Sequence, residues 1–172
     1  RDRDIAEYGK LLSEKLGNLN CEIIIEPGRL LTANSAVLVT KAIYIKKTDS
    51  NNFIIVDAAM NDFIRPTLYG AYHQIIPIKK ESNENSFLKY DVVGPVCESG
   101  DFFGKNVQIG KINEEDLLAI KSVGAYGSVL SSNYNTRASI NEILVNDDKF
   151  EIIRDRIEDE EIIKRDKIPD WI

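Results

Sequence analysis

From residue 42 onward the chain is a succession of short β-rich runs, each closed by turn residues. "AIYIKKT" (42–48) and "NFIIVDAAM" (52–60) are rich in β-branched and aromatic side chains, and "DSNN" between them has hairpin-loop composition. "HQIIPIKK" (73–80) is a further predicted strand; its Pro77 has no N–H for a ladder and belongs at an edge or bulge. "KESNENS" (80–86) reads as a solvated loop, and "LKYDVVGPV" (88–96) and "NVQIGKI" (106–112) as strands. "NEEDLLAIKSV" (113–123) reads as a short helical or turn segment, and "GAYGSVLSSNYNTR" (124–137) as a strand between glycines. A hairpin about Asn146-Asp147-Asp148 is predicted over 142–156, then an acidic helix ending near Pro169. Residues 42–172 therefore read as a mostly antiparallel β domain.

The first 41 residues follow a different period. Ile5, Tyr8, Leu11, Leu12 and Leu16 have helical spacing with charges between them, and Gly17-Asn18 stops the helix. "CEIII" (21–25) lacks alternation, as in a strand buried on both faces, with Cys21 inside it. Thr32, Asn34 and Ser35 offer N-cap chemistry for a helix over roughly 36–42. Helix, loop and buried strand make half of an α/β repeat, so residues 1–41 read as the last α/β unit of a barrel or open parallel sheet. The opening residues have neither an initiator Met nor a signal-peptide pattern, and the expectation is the C-terminal part of a longer protein.

Composition narrows the function. The chain is 43% apolar and 29% charged, with a net charge of -6, which argues against nucleic acid or anionic membrane as partner. No apolar run reaches the roughly 18 residues of a membrane span. Two cysteines, Cys21 and Cys97, give neither a disulfide framework nor metal-ligand spacing, which fits a reducing cytoplasm.

Four stretches carry candidate chemistry. In "EPGR", Gly28 permits close approach of backbone N–H groups to an anion, Arg29 offers a planar fork for phosphate or carboxylate, and Glu26 orients a cation. The alternative is a strand-to-helix turn with a surface ion pair. In "NDFIRPTLYGAYHQI" (61–75), Arg65 precedes Pro66, which biases it toward extended backbone, and Tyr69, Tyr72 and His73 follow. An Arg among phenols makes a carboxylate pocket; the alternative is an irregular connection whose aromatics pack, with His73 structural. In "GPVCESGD", Cys97 beside Glu98 in a polar turn suits a proton donor, or is an incidental loop cysteine. In "GAYG", Tyr126 between Gly124 and Gly127 leaves room for a ligand against its ring, or is a strand residue at a bend.

In this order, "EPGR", "NDFIRPTLYGAYH", "GPVCESGD" and "GAYGSVLSSNYNTR" resemble the diaminopimelate decarboxylases, pyridoxal-phosphate enzymes of lysine biosynthesis, over roughly residues 20 to 157. "CESGD" is the most discriminating block. The resemblance implies an alanine-racemase-like TIM barrel followed by a β domain of sandwich or barrel-like type, and a homodimer with shared active sites. It implies that Glu26, Gly28, Arg29 and Tyr126 serve pyridoxal 5'-phosphate, and that Arg29, Arg65, Tyr69, Glu98 and Tyr126 bind meso-diaminopimelate. Cys97 would be the general acid, entering the partner subunit's site with Glu98. The Schiff-base lysine and Gly-rich phosphate loop of such enzymes lie in earlier barrel strands, so these residues alone are expected to be inactive. The competing expectations are an ornithine, arginine or carboxynorspermidine decarboxylase, or a non-catalytic fragment that binds a decarboxylase subunit.

Overall fold

The computed structural model describes residues 5–79 and 87–172; the loop expected over 80–86 therefore lies outside the described residues. The first helix, α1 (Ile5–Leu16), forms where the spacing predicts and closes as Gly17 N–H donates to the Ser13 carbonyl at 2.9 Å. The rest is dominated by β1 (Val37–Lys47), β2 (Asn52–Val56), β3 (Ile75–Pro77), β4 (Leu88–Val93), β5 (Phe102–Ile109) and β6 (Leu117–Lys121). They form one sheet in the order β3-β6-β1-β2-β4-β5, antiparallel throughout except for the β2–β4 pair. The two edges approach each other: β3 touches β5, and a Cβ added to Gly104 would stand 3.3 Å from Ile75 Cδ1. The sheet is thus curled into a nearly closed barrel. A separate hairpin, β7 (Glu142–Asn146) with β8 (Lys149–Arg154), and a short α3 (Asp159–Ile163) complete the chain.

Strand alternation sets the core. On β1, Leu38, Thr40 and Ala42 point inward while Val37 and Val39 are exposed. Ile54, Val56, Tyr90, Val92, Phe103, Leu118 and Ile120 join them, each apolar side chain contributing about 1.5–3 kcal/mol on burial. Thr40 is the polar member. Its hydroxyl donates to Asp57 Oδ1 at 2.6 Å and accepts from Ala58 N–H at 3.0 Å, tying β1 to the chain leaving β2. The β1–β2 turn uses Thr48, whose hydroxyl donates to the Asn51 carbonyl at 2.8 Å. Pro77 lies on β3, an edge strand, as its missing N–H requires.

Several expectations are corrected. Residues 21–25 form no strand; a strand buried on both faces needs a neighbour on each side, and no described segment pairs with these residues. Ile24 is 80% exposed and Cys21 is exposed. The helix expected over 36–42 is instead the start of β1, because β-branched Val37, Val39 and Thr40 pair with β6. The capping residues before it close a single 3₁₀ turn, Ala33–Ser35. "LLAIK" is strand β6, held between β3 and β1, rather than a helix or turn. Residues 124–137 contain no strand but two 3₁₀ turns, Ser128–Leu130 and Tyr134–Thr136. Arg65 is not extended: it opens the helix α2 (Arg65–Tyr69), where Pro66 sits in the first turn and breaks no intrahelical bond. The terminal helix α3 ends at Ile163, before Pro169.

Candidate active site

Three segments converge on one patch. The first is the turn carrying Gly28 and Arg29. It is fastened to the chain after β6, where Arg29 Nη2 donates to the Ser122 carbonyl at 3.0 Å and Ser122 Oγ donates to Asn34 Oδ1 at 2.6 Å. Gly124 makes the contact possible: a Cβ there would overlap the Thr32 carbonyl, while its N–H donates to the Ala33 carbonyl at 3.0 Å. The second segment brings Tyr126, whose backbone is left-handed at φ 57°, a conformation costing roughly 1–2 kcal/mol in a non-glycine residue. Its ring meets both other segments. A Cβ at Gly28 would stand 3.2 Å from the Tyr126 hydroxyl, and the Tyr126 ring centroid is 5.9 Å from Arg65 Cζ.

Helix α2 is the third segment. Its first residue, Arg65, sets its guanidinium over the rings of both Tyr126 and Tyr69, the latter centred 5.2 Å from Cζ. The helix stops at Gly70 in the left-handed region, φ 59°, with its N–H donating to the Arg65 carbonyl. The stacked guanidinium is therefore held by a short, capped element.

The electrostatics of this patch favour an anion. Arg29 is held below the usual guanidinium range, first by desolvation and then by repulsion from Arg65. The Nε atoms of both arginines are buried and lack a hydrogen-bond partner. Two adjacent cations with unmet donors present a ready site for phosphate or carboxylate. His73 lies behind them, 4% exposed, edge-on to Phe63 with centroids 4.6 Å apart. Its Nδ1–H donates to the Lys121 carbonyl at 3.0 Å, leaving Nε2 buried and unpartnered. Desolvation is the main force keeping its pKa below the ordinary imidazole value; the Lys121 bond opposes it, and Arg29 and Arg65 reinforce it. His73 is thus neutral, and only half-satisfied in its structural role.

Cys97 and Glu98 occupy a separate loop, both exposed. They make no hydrogen bond or ion pair with Arg29, Arg65, Tyr69 or Tyr126 among the described residues. The loop reaches α2 through Thr67, whose hydroxyl donates to the Gly100 carbonyl. Within the loop, Asp101 accepts from Met60 N–H through Oδ1 and from Val96 N–H through Oδ2, each at 2.7 Å. Glu98 Oε1 accepts from Gly100 N–H at 3.2 Å, and Oε2 accepts from the Tyr134 hydroxyl at 3.4 Å.

Sequence reading missed Asp101, Tyr134 and Arg137. Arg137 Nε donates to Asn61 Oδ1 at 2.9 Å and Nη2 to the Asp57 carbonyl at 2.7 Å, with Nη2 3.9 Å from buried Asp62 Oδ2. Asp62 is nonetheless raised above the ordinary carboxylate range, desolvation outweighing its hydrogen bonds and Arg137. The signal for these residues was present in the same blocks, as the last residue of "CESGD" and the end of "NYNTR". Glu26 is exposed and joins none of these contacts. Among the described residues no group of His, Cys, Asp and Glu could hold a metal ion, and no helix is long and apolar enough to cross a membrane.

The family described as pyridoxal-dependent decarboxylase, C-terminal sheet domain, matches residues 15–124, from α1 through β6 to the Gly124 contact. The chain belongs to this family. It is similar to the C-terminal portion of diaminopimelate decarboxylases. That of Vibrio cholerae is 48% identical over 154 residues, covering 89% of this chain and 36% of that protein. The Zymomonas mobilis enzyme is 40% identical over 168 residues, covering 98% and 39%. Among solved structures, diaminopimelate decarboxylase from Helicobacter pylori complexed with L-lysine matches with a TM-score of 0.81 at 40% identity, covering 94% of this chain and 39% of that one. The chain thus spans well under half the length of the curated relatives it matches.

Proposed function

We propose that this chain is the C-terminal part of a pyridoxal-phosphate-dependent decarboxylase that converts meso-2,6-diaminopimelate to L-lysine and CO2. The observation that carries the reading is the Arg29–Arg65 pair with two buried, unpartnered Nε donors, walled by Tyr69 and Tyr126. The donor set fits the cofactor's phosphate: Arg29 supplies the cation, and Gly28 leaves no side chain between the turn and the Tyr126 hydroxyl. When bound, pyridoxal phosphate supplies an electron sink for the pair left on Cα as CO2 departs.

The residues of this chain divide the remaining work. Gly28 and Arg29 hold the phosphate, Glu26 stands at the rim of that turn, and Tyr126 packs against cofactor and substrate. Arg65, stacked and restrained, takes the substrate's remote carboxylate with help from Arg29 and Tyr69. Glu98 pairs with the remote ammonium. A site that holds both ends of a distal zwitterion rejects analogues lacking either, because its own charges are then left unpaired. Cys97 donates its sulfhydryl proton to Cα after the Cα–carboxylate bond breaks. Because Cys97 and Glu98 stand on an exposed loop and bond to neither arginine among the described residues, they serve the site of a second subunit in a homodimer.

The expected boundary at residue 41 falls inside β1, so in the full-length protein the division lies ahead of Val37, the earlier residues completing a TIM barrel. The Schiff-base lysine and Gly-rich loop belong to that barrel; Lys10 and Lys15 lie on α1, which has no buried residue. Residues 1–172 alone are therefore inactive, and the enzyme works in the cytoplasm. Full-length protein with pyridoxal phosphate is tested on diaminopimelate, ornithine and arginine. Lysine and CO2 from diaminopimelate alone support the reading; diamine from ornithine, agmatine from arginine, or no product from any of the three refutes it.

A further inference from the structure

Loop 94–101 is more tightly built than an exposed turn needs to be. Asp101 is 4% exposed, yet both carboxylate oxygens accept backbone N–H groups, one from Val96 inside the loop and one from Met60 across it. Its own N–H donates to the Glu98 carbonyl at 3.0 Å, and its carbonyl accepts from Gly94 N–H at 3.0 Å. Gly94 is required, because a Cβ there would overlap both oxygens of the Asp101 carboxylate. The clamp continues into a closed circuit. Met60 is followed by Asn61, whose Nδ2 donates to the Ser132 carbonyl at 3.3 Å and whose Oδ1 takes Arg137. Two residues after Ser132, Tyr134 returns to Glu98 Oε2. Glu98 is thus held from its backbone by Asp101 and at its carboxylate by Tyr134, although it is solvent-exposed.

An exposed glutamate needed only for solubility gains nothing from such restraint, since ordering a long side chain has an entropic cost. A glutamate that must meet one ammonium at a fixed point gains its selectivity from it. We propose that Asp101 is a positioning residue: by clamping loop 94–101 to Met60 it fixes the direction of Glu98, and with it the discrimination for a substrate bearing a distal ammonium. The proposal rests on the diaminopimelate reading above. Asp101 itself touches no substrate. Cys97 rides on the same loop, but proton return to Cα is common to all substrates and cancels in a ratio between two of them.

The test is Asp101→Asn in the full-length enzyme, measured on meso-diaminopimelate and on 2-aminopimelate, which lacks the distal amine. Asn presents one acceptor where two amides need one each, so one buried N–H loses its partner. The kcat/KM ratio of diaminopimelate over 2-aminopimelate is expected to fall about ten-fold or more, the effect of losing one such bond. A fall of both kcat/KM values by one common factor, with the ratio kept, overturns the proposal, because loss of folded protein has that signature. Should Asp101→Asn not accumulate folded, Gly94→Ala displaces the same carboxylate, and the same fall in ratio is expected.

If the wild-type enzyme decarboxylates neither compound, the diaminopimelate reading fails instead. The clamp is then read from iodoacetamide alkylation of Cys97, followed on its own peptide by mass spectrometry. A several-fold change in rate on Asp101→Asn supports the clamp, and an unchanged rate overturns it.

Discussion

The steric dependence of Gly94 on Asp101 makes a sharp double-mutant test. Gly94 is not in the left-handed region, so alanine there incurs no backbone strain. Its nearest obstacle is the Asp101 carboxylate, which is kept from swinging aside because Met60 and Val96 N–H groups hold its two oxygens, each at 2.7 Å. Displacing the carboxylate breaks at least one hydrogen bond to a charged group, about 1.5–3 kcal/mol. Replacing Gly by Ala returns about 0.4–1 kcal/mol by restricting the unfolded chain. Gly94→Ala should therefore cost roughly 0.5–2.6 kcal/mol, a sizeable share of a typical stability at the upper end. In an Asp101→Ala background the obstacle is gone, and the same substitution should be neutral or stabilising by about 0.5 kcal/mol. Equilibrium urea unfolding of the four proteins gives the coupling directly. An equal cost of Gly94→Ala in both backgrounds would refute the steric reasoning and the clamp with it.

Thr40→Val should destabilise by about 1–3 kcal/mol in urea unfolding, because Asp57 Oδ1 and Ala58 N–H both lose the buried hydroxyl, whereas Thr40→Ser should cost far less. His73 has a depressed pKa in the folded state, so the unfolded chain binds more protons below the ordinary value of 6.5. Stability should be full above that value and fall as pH drops toward the folded pKa; His73→Asn should flatten this limb in a series of thermal melts. Asp62 and Asp101, raised by burial, act in the opposite sense, favouring the fold as pH falls toward 3.8, so only the difference between wild type and His73→Asn isolates the imidazole. Arg65→Met in the full-length enzyme should raise KM for diaminopimelate about ten- to a hundred-fold while leaving cofactor absorbance intact, and an unchanged KM removes Arg65 from the substrate pocket.

Local chemistry made the hairpins legible. Asp49 to Asn52 and Asn146 to Asp148 carry their turn signals in the residues themselves, and Pro77 announces an edge because it lacks an N–H. The errors arose where partners decide. Thr32, Asn34 and Ser35 look like a helix start, but the following valines pair with β6, and the caps close only one turn. "LLAIK" has helix-forming residues, and only its place between β3 and β1 makes it a strand. "CEIII" shows the same dependence in reverse, a strand-like sequence with no described neighbour to pair with.

The site followed the same rule. Arg29, Arg65 and Tyr126 were each visible as chemistry, but their convergence depends on Gly124 admitting the Thr32 carbonyl, a tertiary contact absent from either stretch alone. The glycines around Tyr126 read as room for a ligand or as bends in a strand, whereas Gly124 is a point of close approach to the Thr32 carbonyl. Asp101 was passed over because an Asp after a glycine is an ordinary loop residue until its two amide partners are known.

Subunit mixing tests most directly the claim that one chain's thiol and glutamate complete another chain's arginine pocket. Full-length Cys97→Ala and Arg29→Ala enzymes, each inactive alone, are unfolded together and reassembled in equal amounts. Shared sites predict activity returning to about one quarter of wild type, since half the dimers then hold one intact site of two. No recovery, with mixed dimers verified by mass, would mean that each subunit builds its site alone and would contradict the account.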